Sequence, residues 1–380
     1  MAEDFNNKDY GEYFNLLEQS INKSPKKDIP FKEEVNTKLS SKRILAIKRR
    51  RKFILTSALS LVLAVSLVCI IIFSIASKDD TKIGADTNVS NVEKPKDNKK
   101  PKIEYPKEIA NTFTIGSEIE SHHVIVIDVE SNEIVAMKNP YERAYPASTT
   151  KIMTLLVAAE NISSLEDTFT MTYEITDPMY VAGATVAGFS AGEVINLKDM
   201  LYGIILPSGG DAAIGIATKI SGGEEAFAEL MNKKADELGL KDTHFTNCTG
   251  LYDSNHYTTA ADMAVILKEA IKNPLCKEIM STYQYDAAPT DKHPEGLKFS
   301  STLFNYMYGT EPEGADIKGG KTGFVNESGY CIASFGQSDS GKEYISVTLE
   351  APSKWPAFYD QIDLYSAYAG NSDVKINRNN

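Results

Sequence analysis

The stretch from Tyr145 to Glu160, YPASTTKIMTLLVAAE, places a serine hydroxyl and a lysine amine three residues apart. Ser148 and Lys151 follow a proline and begin an apolar run with helical periodicity. Residues three apart on a helix share a face, so the two side chains are expected to lie next to each other. Free backbone N–H groups and the positive end of the dipole favour negative charge near a helix N-terminus. This arrangement suits a serine nucleophile with a lysine beside it.

Two later stretches also carry hydroxyl and amine side chains. Ser208 lies in LPSGGDAA, at a predicted turn between two helical runs, and Lys321-Thr322-Gly323 lies in KGGKTGF, on a strand-like stretch. Each motif alone is common by chance, and the first pair alone is more simply a helix cap and a surface lysine. All three together, in this order and at this separation, match the SxxK, SxN-type and KTG signature of penicillin-binding proteins and β-lactamases.

The chain resembles the low-molecular-mass penicillin-binding proteins, and in particular the serine-type D-alanyl-D-alanine carboxypeptidases, over nearly the whole of 115–350. The resemblance lies in the stretches YPASTTKIMT, LYGIILPSGGDAA, THFTNCTGL, HYTTAADMA and GGKTGFVNESGYCIAS. It implies a penicillin-binding-protein or β-lactamase-like transpeptidase fold of the α+β class, with an antiparallel sheet packed with helices. It implies no metal and no cofactor.

The resemblance assigns roles to the first two motifs, and acyl transfer requires such roles. A serine hydroxyl is a poor nucleophile until a base takes its proton. Ser148 is the expected nucleophile, and Lys151 is the expected base provided that part of it is neutral. Burial and a neighbouring cation such as Lys321 would lower the pKa of Lys151 in that direction. Ser208 is expected to relay a proton to the leaving amine.

The third motif is expected to bind the substrate. Lys321 and Thr322 would meet the carboxylate at the C-terminus of the peptide. Gly323 would let the substrate backbone lie close along the strand, since glycine has no side chain to hinder that approach. The resemblance also implies an oxyanion hole formed by the backbone N–H groups of Ser148 and Phe324.

The second motif departs from the family pattern at its third position. The family has Ser-x-Asn, whereas this chain has Gly210, with Asp211 and two alanines fixing the register. An asparagine amide at that position would form hydrogen bonds with the substrate and the catalytic lysine. Loss of one such transition-state contact costs on the order of 10²–10³ in rate. Two outcomes stay open: a weakened enzyme, or a site in which a water or another side chain takes the place of asparagine.

Composition and charge argue against several other functions. The 380 residues carry a net charge of −12, whereas a nucleic-acid-binding domain normally presents a basic face. The four cysteines lack CxxC spacing and the five histidines lack HExxH spacing, which argues against a zinc site. Cys248, Cys276 and Cys331 are interpreted as buried free thiols, although one disulfide among the cysteines stays open. His256 is interpreted as structural.

An uncharged apolar segment predicts a membrane anchor. Residues 53–76, FILTSALSLVLAVSLVCIIIFSIA, exceed the roughly 20 apolar residues that span a bilayer. Seven Lys or Arg residues and no acid lie in 42–52, so the positive-inside rule places the N-terminus in the cytoplasm and the later residues outside. The alternative, a cleaved signal peptide, would have a shorter apolar core and a shorter leader. Residues 1–52 are expected to form a polar cytoplasmic tail, and 77–107 a disordered linker.

Residues 108–375 are expected to form one catalytic domain of the α+β class, with no C-terminal β domain after it. HVIVIDVE and IVAMKN flank a short Ser131-Asn132-Glu133 link and predict a β-hairpin, and YCIASFG and EYISVTLE predict further strands. Helices are predicted from the first motif onwards and over five later ranges: 197–206, 211–220, 224–238, 259–272 and about 356–369.

Together these features favour a membrane-anchored, penicillin-sensitive D-alanyl-D-alanine carboxypeptidase on the cell-wall side of the membrane. It would remove the terminal D-alanine from peptidoglycan stem peptides through an acyl-enzyme on Ser148, and β-lactam antibiotics would acylate it covalently. A class A β-lactamase is one alternative, but it needs a glutamate-bearing loop to activate water, and ADELGLKDTHFTN offers no convincing one. A non-catalytic wall or β-lactam sensor is the other, with Gly210 as the sign of lost activity.

Overall fold

The computed structural model describes residues 105–307 and 309–370. The predicted cytoplasmic tail and transmembrane helix lie outside these ranges, as do most of the predicted linker and the last five residues of the predicted catalytic domain. Within the part of the chain that is described, no helix is both long and apolar enough to cross a bilayer. The described residues cover the predicted catalytic domain almost completely.

Strands lie towards both ends of the described chain and helices fill its middle, as the sequence predicts. Among the described residues, the strands are β1 (Lys107–Thr114), β2 (His123–Asp128), β3 (Glu133–Lys138), β4 (Thr168–Thr170), β5 (Val194–Asn196), β6 (Gln284–Asp286), β7 (Lys298–Ser300), β8 (Ala315–Val325), β9 (Gly329–Ser338) and β10 (Glu343–Ala351). The helices there are α1 (Lys151–Asn161), α2 (Tyr173–Val181), α3 (Leu197–Ile205), α4 (Gly210–Ser221), α5 (Glu224–Leu238), α6 (Ala260–Ala270), α7 (Pro274–Ser281), α8 (Thr302–Met307) and α9 (Lys354–Leu364). A 3₁₀ turn, Ala147–Thr150, precedes α1, and a π-helical turn, Tyr365–Gly370, follows α9.

The central sheet has six strands in the order β1-β3-β2-β10-β9-β8. Its neighbouring strands are antiparallel except for β1 and β3, which are parallel, so the prediction of an antiparallel sheet is wrong at this edge. The sequence of β1, KEIANTFT, is exposed at seven of its eight positions. It therefore lacks the alternation of apolar and polar residues that identifies a strand, and its first residue falls within the predicted linker.

The strand β2, HVIVID, is buried along its whole length because both faces of the sheet are covered. Ile125 and Ile127 belong to the main core, which they share with helices α1, α3, α4 and α6. Val124 and Val126 belong to a second core on the opposite face, together with Tyr365 after α9. Successive side chains of a strand point to opposite faces, so this one strand contributes to both cores.

The helical middle follows the sequence signals closely. Helix α3 ends at Ile205, two residues before Pro207, and the next helix begins after a short turn. Thr259 is the N-cap of α6, where its Oγ1 accepts a hydrogen bond of 3.0 Å from the backbone N–H of Asp262. The break at Pro207 creates the turn between α3 and α4 that carries the second motif.

Helix α9 is attached to the rest of the domain by a buried carboxylate. Asp360 is fully buried and accepts hydrogen bonds from the backbone N–H groups of Glu120 and Ser121, at 3.1 and 2.8 Å, and from the hydroxyl of Ser121 at 2.5 Å. These contacts join α9 to the segment just before β2. Helix α9 thereby covers one face of the sheet, and none of its residues lines the cleft described below.

Replacing Asp360 with alanine is expected to lower the free energy of unfolding by roughly 3 kcal/mol, since it leaves the two buried donors of Ser121 and the N–H of Glu120 without this acceptor. Urea unfolding followed by circular dichroism measures this loss. Asp339→Ala, in the exposed β9–β10 turn, is the control and is expected to change stability by less than about 0.5 kcal/mol. Equal stability of the two variants would contradict an anchoring role for Asp360.

Candidate active site

The first motif lies where the 3₁₀ turn meets helix α1. Lys151 Nζ donates a hydrogen bond of 3.0 Å to Ser148 Oγ, so the predicted pairing is present. Ala147, just before the serine, has a φ of +46°, a left-handed conformation that a residue with a side chain rarely adopts. The lysine is 2% exposed, whereas the serine is partly exposed. The hydroxyl therefore faces the cleft with the amine enclosed behind it.

Two glycines allow other backbone segments to lie directly against this motif. Gly250 has a φ of +78°, and a Cβ at that position would collide with the carbonyl oxygen of Ala147. A Cβ at Gly323, on strand β8, would lie 2.8 Å from the backbone nitrogen of Ser148. The space beside Gly323 is thus taken by the first motif, which is a reason for glycine other than the substrate contact expected from the sequence.

The amine of Lys151 has a second acceptor, the carbonyl oxygen of Thr249, at 2.5 Å. Burial lowers the pKa of Lys151 to about 8, although the negatively charged groups around it, Asp211 and Glu224 among them, act in the opposite direction. At a pKa of about 8, roughly a tenth of the lysine is neutral at pH 7. An amine in this state can accept a proton from a neighbouring hydroxyl.

Lys321 is also buried, at 1% exposure, and its Nζ donates a hydrogen bond of 2.7 Å to the carbonyl oxygen of Thr322. Burial, and then the positive charge of Lys151, hold the pKa of Lys321 well below its usual range. The sequence predicts that both burial and Lys321 lower the pKa of Lys151. Burial is what lowers the pKa of Lys151, whereas the repulsion between the two lysines acts at Lys321.

The second motif lies in the turn between α3 and α4, as predicted. Ser208 has a φ of +66° and its side chain faces the cleft. The backbone N–H of Gly209 donates to Gly203 at 2.9 Å, and that of Gly210 donates to Thr185 at 2.8 Å. Ser208 therefore lines the same cleft as Ser148 and Lys151.

A methionine fills the space beside Gly210. A Cβ at Gly210 would lie 2.8 Å from Met179 Sδ and 3.4 Å from the carbonyl oxygen of Thr185. Met179 lies on α2 and is 4% exposed. The next residue, Asp211, accepts hydrogen bonds from three consecutive N–H groups of the segment after α2, at 2.7 to 3.2 Å. A side chain at position 210 would therefore need Met179 to move.

The cleft has a volume of about 390 Å³. The predicted site residues Ser148, Lys151, Ser208, Gly210 and Phe324 line it. The other lining residues are Ala182–Thr185, Thr249–Tyr252 and Val325–Glu327.

The remaining residues of the third motif are next to this lining in the chain but are not part of it. Lys321 is buried, and Thr322 shares a hydrogen bond of 2.7 Å with the hydroxyl of Thr302 at the start of α8. Gly323 packs against the first motif. The KTG stretch therefore supports the wall of the cleft, whereas Phe324 forms part of its surface.

Several lining residues were not found by sequence reasoning. Residues 182–185 line the cleft, and Thr249 contributes a backbone carbonyl to the site. A backbone group is the same in every residue, so the sequence gives no sign of such a contact. Met179, which lies beside Gly210 but does not line the cleft, is an ordinary apolar residue of a short helix that the sequence did not predict. The one available signal was Gly250 in the stretch TGL, since a left-handed glycine marks a close approach of two chain segments.

The histidine behind the first motif has the structural role expected of it. His256 Nε2 and the hydroxyl of Thr150 lie 2.8 Å apart, and His256 Nδ1 accepts the backbone N–H of Thr246 at 3.2 Å. Burial lowers the pKa of His256 to about 4, so the ring is neutral at neutral pH. The three cysteines in the described ranges are buried and free, as interpreted from the sequence. Across those ranges, His, Cys, Asp and Glu form no group of three or more that could hold a metal.

A known family and several known proteins match this chain over the range that contains the site. The model of the D-alanyl-D-alanine carboxypeptidase family, peptidase S11, matches residues 109–353, a range that contains all three motifs and the whole lining of the cleft. D-alanyl-D-alanine carboxypeptidase DacF of Bacillus subtilis is 37% identical over 214 residues, which are 56% of this chain and 53% of DacF. The D-alanyl-D-alanine carboxypeptidase of Streptomyces sp. strain K15 is 30% identical over 218 residues, 56% of this chain and 74% of that protein. The chain thus spans about half the length of DacF.

Solved structures share the fold. The crystal structure of the Streptomyces K15 DD-transpeptidase has a TM-score of 0.58 at 27% identity, covering 65% of this chain and 97% of that one. Penicillin-binding protein 5 from Haemophilus influenzae has a TM-score of 0.59 at 27% identity, covering 66% of this chain and 71% of that one. The transpeptidase-like α+β fold predicted from the three motifs is confirmed.

Replacing Gly210 with asparagine is expected to slow acylation by penicillin and to destabilise the protein by about 1–3 kcal/mol, because the new side chain overpacks against the buried Met179. Adding Met179→Ala should recover part of both losses by vacating that space. Thermal unfolding and the rate of labelling by a fluorescent penicillin measure the two effects.

Gly222→Asn is the matched control. It lies at the other end of α4, where a Cβ would meet nothing within 4 Å and where asparagine tolerates the left-handed backbone. If Gly210→Asn were as stable as the wild type and labelled faster, Gly210 would instead mark a contact that nothing has replaced.

Proposed function

This chain belongs to the D-alanyl-D-alanine carboxypeptidase (peptidase S11) family, and we propose that it removes the terminal D-alanine from peptidoglycan stem peptides through an acyl-enzyme on Ser148. The observation that carries the proposal is the 3.0 Å hydrogen bond between Lys151 Nζ and Ser148 Oγ, with the lysine buried and its pKa lowered to about 8. A buried, partly neutral amine next to a cleft-facing hydroxyl is what nucleophilic acyl transfer requires.

Acylation begins when the neutral amine of Lys151 takes the proton of Ser148. The serine oxygen attacks the carbonyl carbon of the penultimate D-alanine and forms a tetrahedral intermediate. The oxyanion accepts hydrogen bonds from the backbone N–H groups of Ser148 and Phe324. These donors stabilise the negative charge that develops on the oxygen. Ser208 relays the proton from Lys151 to the departing nitrogen, the C–N bond breaks, and free D-alanine leaves an ester on the serine.

Deacylation reverses the proton transfers with water in place of the amine. Lys151 takes a proton from a water molecule, which attacks the ester carbonyl. The bond between that carbon and the serine oxygen breaks, Ser148 recovers its proton, and a stem peptide one residue shorter departs. A β-lactam acylates Ser148 in the same way, but opening of its ring leaves the departing nitrogen covalently attached to the acyl group. The ester then persists, so β-lactams act as covalent inhibitors.

The third motif supplies recognition of the substrate carboxylate. Thr322 would release its hydroxyl from Thr302 to donate to the carboxylate, and Lys321 would add positive charge from below the surface of strand β8. Binding of an anion would favour the protonated form of Lys321, and the repulsion between the two lysines would then favour the neutral form of Lys151. Substrate binding and activation of the serine would therefore support each other.

The cellular setting of this reaction follows from the N-terminal sequence. Residues 53–76 would hold the protein in the cell membrane as a single span, with 1–52 in the cytoplasm. The catalytic domain would then face the cell wall, where its substrate lies, with 77–107 as the linker. This part of the proposal rests on sequence alone, because these segments lie almost entirely outside the described residues.

Ser148→Ala is expected to abolish both release of D-alanine from a pentapeptide ending in D-Ala-D-Ala and covalent labelling by fluorescent penicillin, since the ester has no other oxygen to form on. Ser281→Ala, at the exposed end of α7, is the control and should leave both activities unchanged. Labelling that survives in Ser148→Ala would assign the nucleophile to another residue. Labelling of the wild type without release of D-alanine would favour the sensor alternative.

The rate of acylation is expected to rise with pH and to reach half its maximum near pH 8. Only the deprotonated form of Lys151 can act as the base, so the rate should fall about tenfold for each pH unit below its pKa. Stopped labelling reactions between pH 6 and pH 10 measure the profile. Lys151→Arg, which keeps the positive charge but stays protonated, should lose the rising limb altogether. A rate independent of pH from 6 to 9 would exclude Lys151 as the base.

A further inference from the structure

The carbonyl oxygen that holds Lys151 belongs to a turn built by side chains. Thr249 O accepts the lysine amine at 2.5 Å. Asn247 Oδ1 accepts three hydrogen bonds, from the N–H and the hydroxyl of Thr249 and from the N–H of Gly250, at 2.8 to 3.2 Å. The left-handed Gly250 then packs against the first motif. The position of the lysine amine therefore depends on the position of this turn.

Two helices clamp the turn at Cys248, which is fully buried. From α1, the hydroxyl of Thr154 donates to Cys248 O at 2.7 Å. From the first residue of α5, Glu224 Oε1 accepts the backbone N–H of Cys248 at 3.2 Å and its thiol at 3.4 Å. Burial raises the pKa of the Cys248 thiol well above its usual range, so the thiol keeps the proton that it donates. Glu224 is thus the side chain that ties the turn to α5.

The ionisable groups around Lys151 come from four elements. Asp211 from α4 and Glu224 from α5 raise the pKa of the lysine against the effect of burial, Lys321 faces it from β8, and Cys248 lies in the turn. The thiol of Cys248 is neutral, and the carboxylate of Asp211 accepts hydrogen bonds from four backbone N–H groups. Glu224 is the carboxylate that both acts on the charge of the lysine and fixes the turn that holds it.

We propose that Glu224 is a positioning residue of this site, which places the Thr249 carbonyl against Lys151 and sets the pH range in which that lysine acts as a base. The inference rests on the proposed function, because it concerns the base of the same acylation step. Glu224 is not among the residues that line the cleft. Its two effects, geometric and electrostatic, are separable by substitution, since glutamine keeps an acceptor oxygen and loses the charge.

The test is the pH profile of acylation by a fluorescent penicillin, measured on the full-length protein between pH 6 and pH 10. In Glu224→Gln, loss of a negative charge disfavours the protonated lysine, so the rising limb should move to lower pH by roughly half a unit. The rate below the midpoint should then increase about threefold, with the plateau unchanged. In Glu224→Ala, the turn also loses its anchor, and the plateau itself should fall about tenfold or more.

Glu225→Gln is the matched control, because it removes the same charge from the next residue of the same helix turn, where the side chain is exposed. Its profile should coincide with that of the wild type. A Glu224→Gln profile that also coincides with the wild type overturns the proposal, as does an equal shift in Glu225→Gln. If Glu224→Ala fails to fold, the Glu224→Gln profile still decides. A wild type that is never acylated overturns the proposed function and this inference with it, whereas an acylated wild type with an unmoved Glu224→Gln profile overturns the inference alone.

Discussion

The hydrogen bond from the amine of Lys151 to the hydroxyl of Ser148 sets the conditions that the surrounding structure has to meet. In water a lysine stays protonated at neutral pH and cannot activate a serine. Enclosure at 2% exposure lowers its pKa to about 8, but a buried amine also needs acceptors, because an unpaired polar group in the interior is costly. Ser148 Oγ and Thr249 O are those acceptors. The packing of β8, α4 and α5 around the first motif buries the amine and holds both acceptors in place.

Backbone provides much of this enclosure, and that explains where the glycines occur. Gly250 and Gly323 bring two chain segments closer to the first motif than any side chain would allow. Strand β8 itself is held by its pairing with β9, and the sheet beyond it rests on two cores, one on each face. Tertiary packing far from the cleft therefore determines distances within it, because a small shift of β8 would separate it from the nucleophile.

The sequence predicted the parts of this protein that depend on residue type and periodicity. The motif residues Ser148, Lys151 and Ser208 line one cleft, and the predicted helices and the β2–β3 hairpin are present. Strand β1 was missed because its exposed sequence lacks a strand pattern. The hydrogen bond from Lys151 to the backbone carbonyl of Thr249 could not be predicted. Every residue has a backbone carbonyl, and only three-dimensional packing shows which one lies next to the lysine.

Gly210 shows how one position of a motif depends on a residue far away in the sequence. Met179 lies 31 positions earlier, yet its sulfur occupies the space that a side chain at 210 would need. A glycine at this point is therefore not simply a missing asparagine, since the volume has been filled and the N–H of Gly210 is bonded to Thr185. Residues in such contact couple, so the effect of a change at one depends on the other. The cost of departing from a family motif follows from the packing around the changed position, and the motif alone does not determine it.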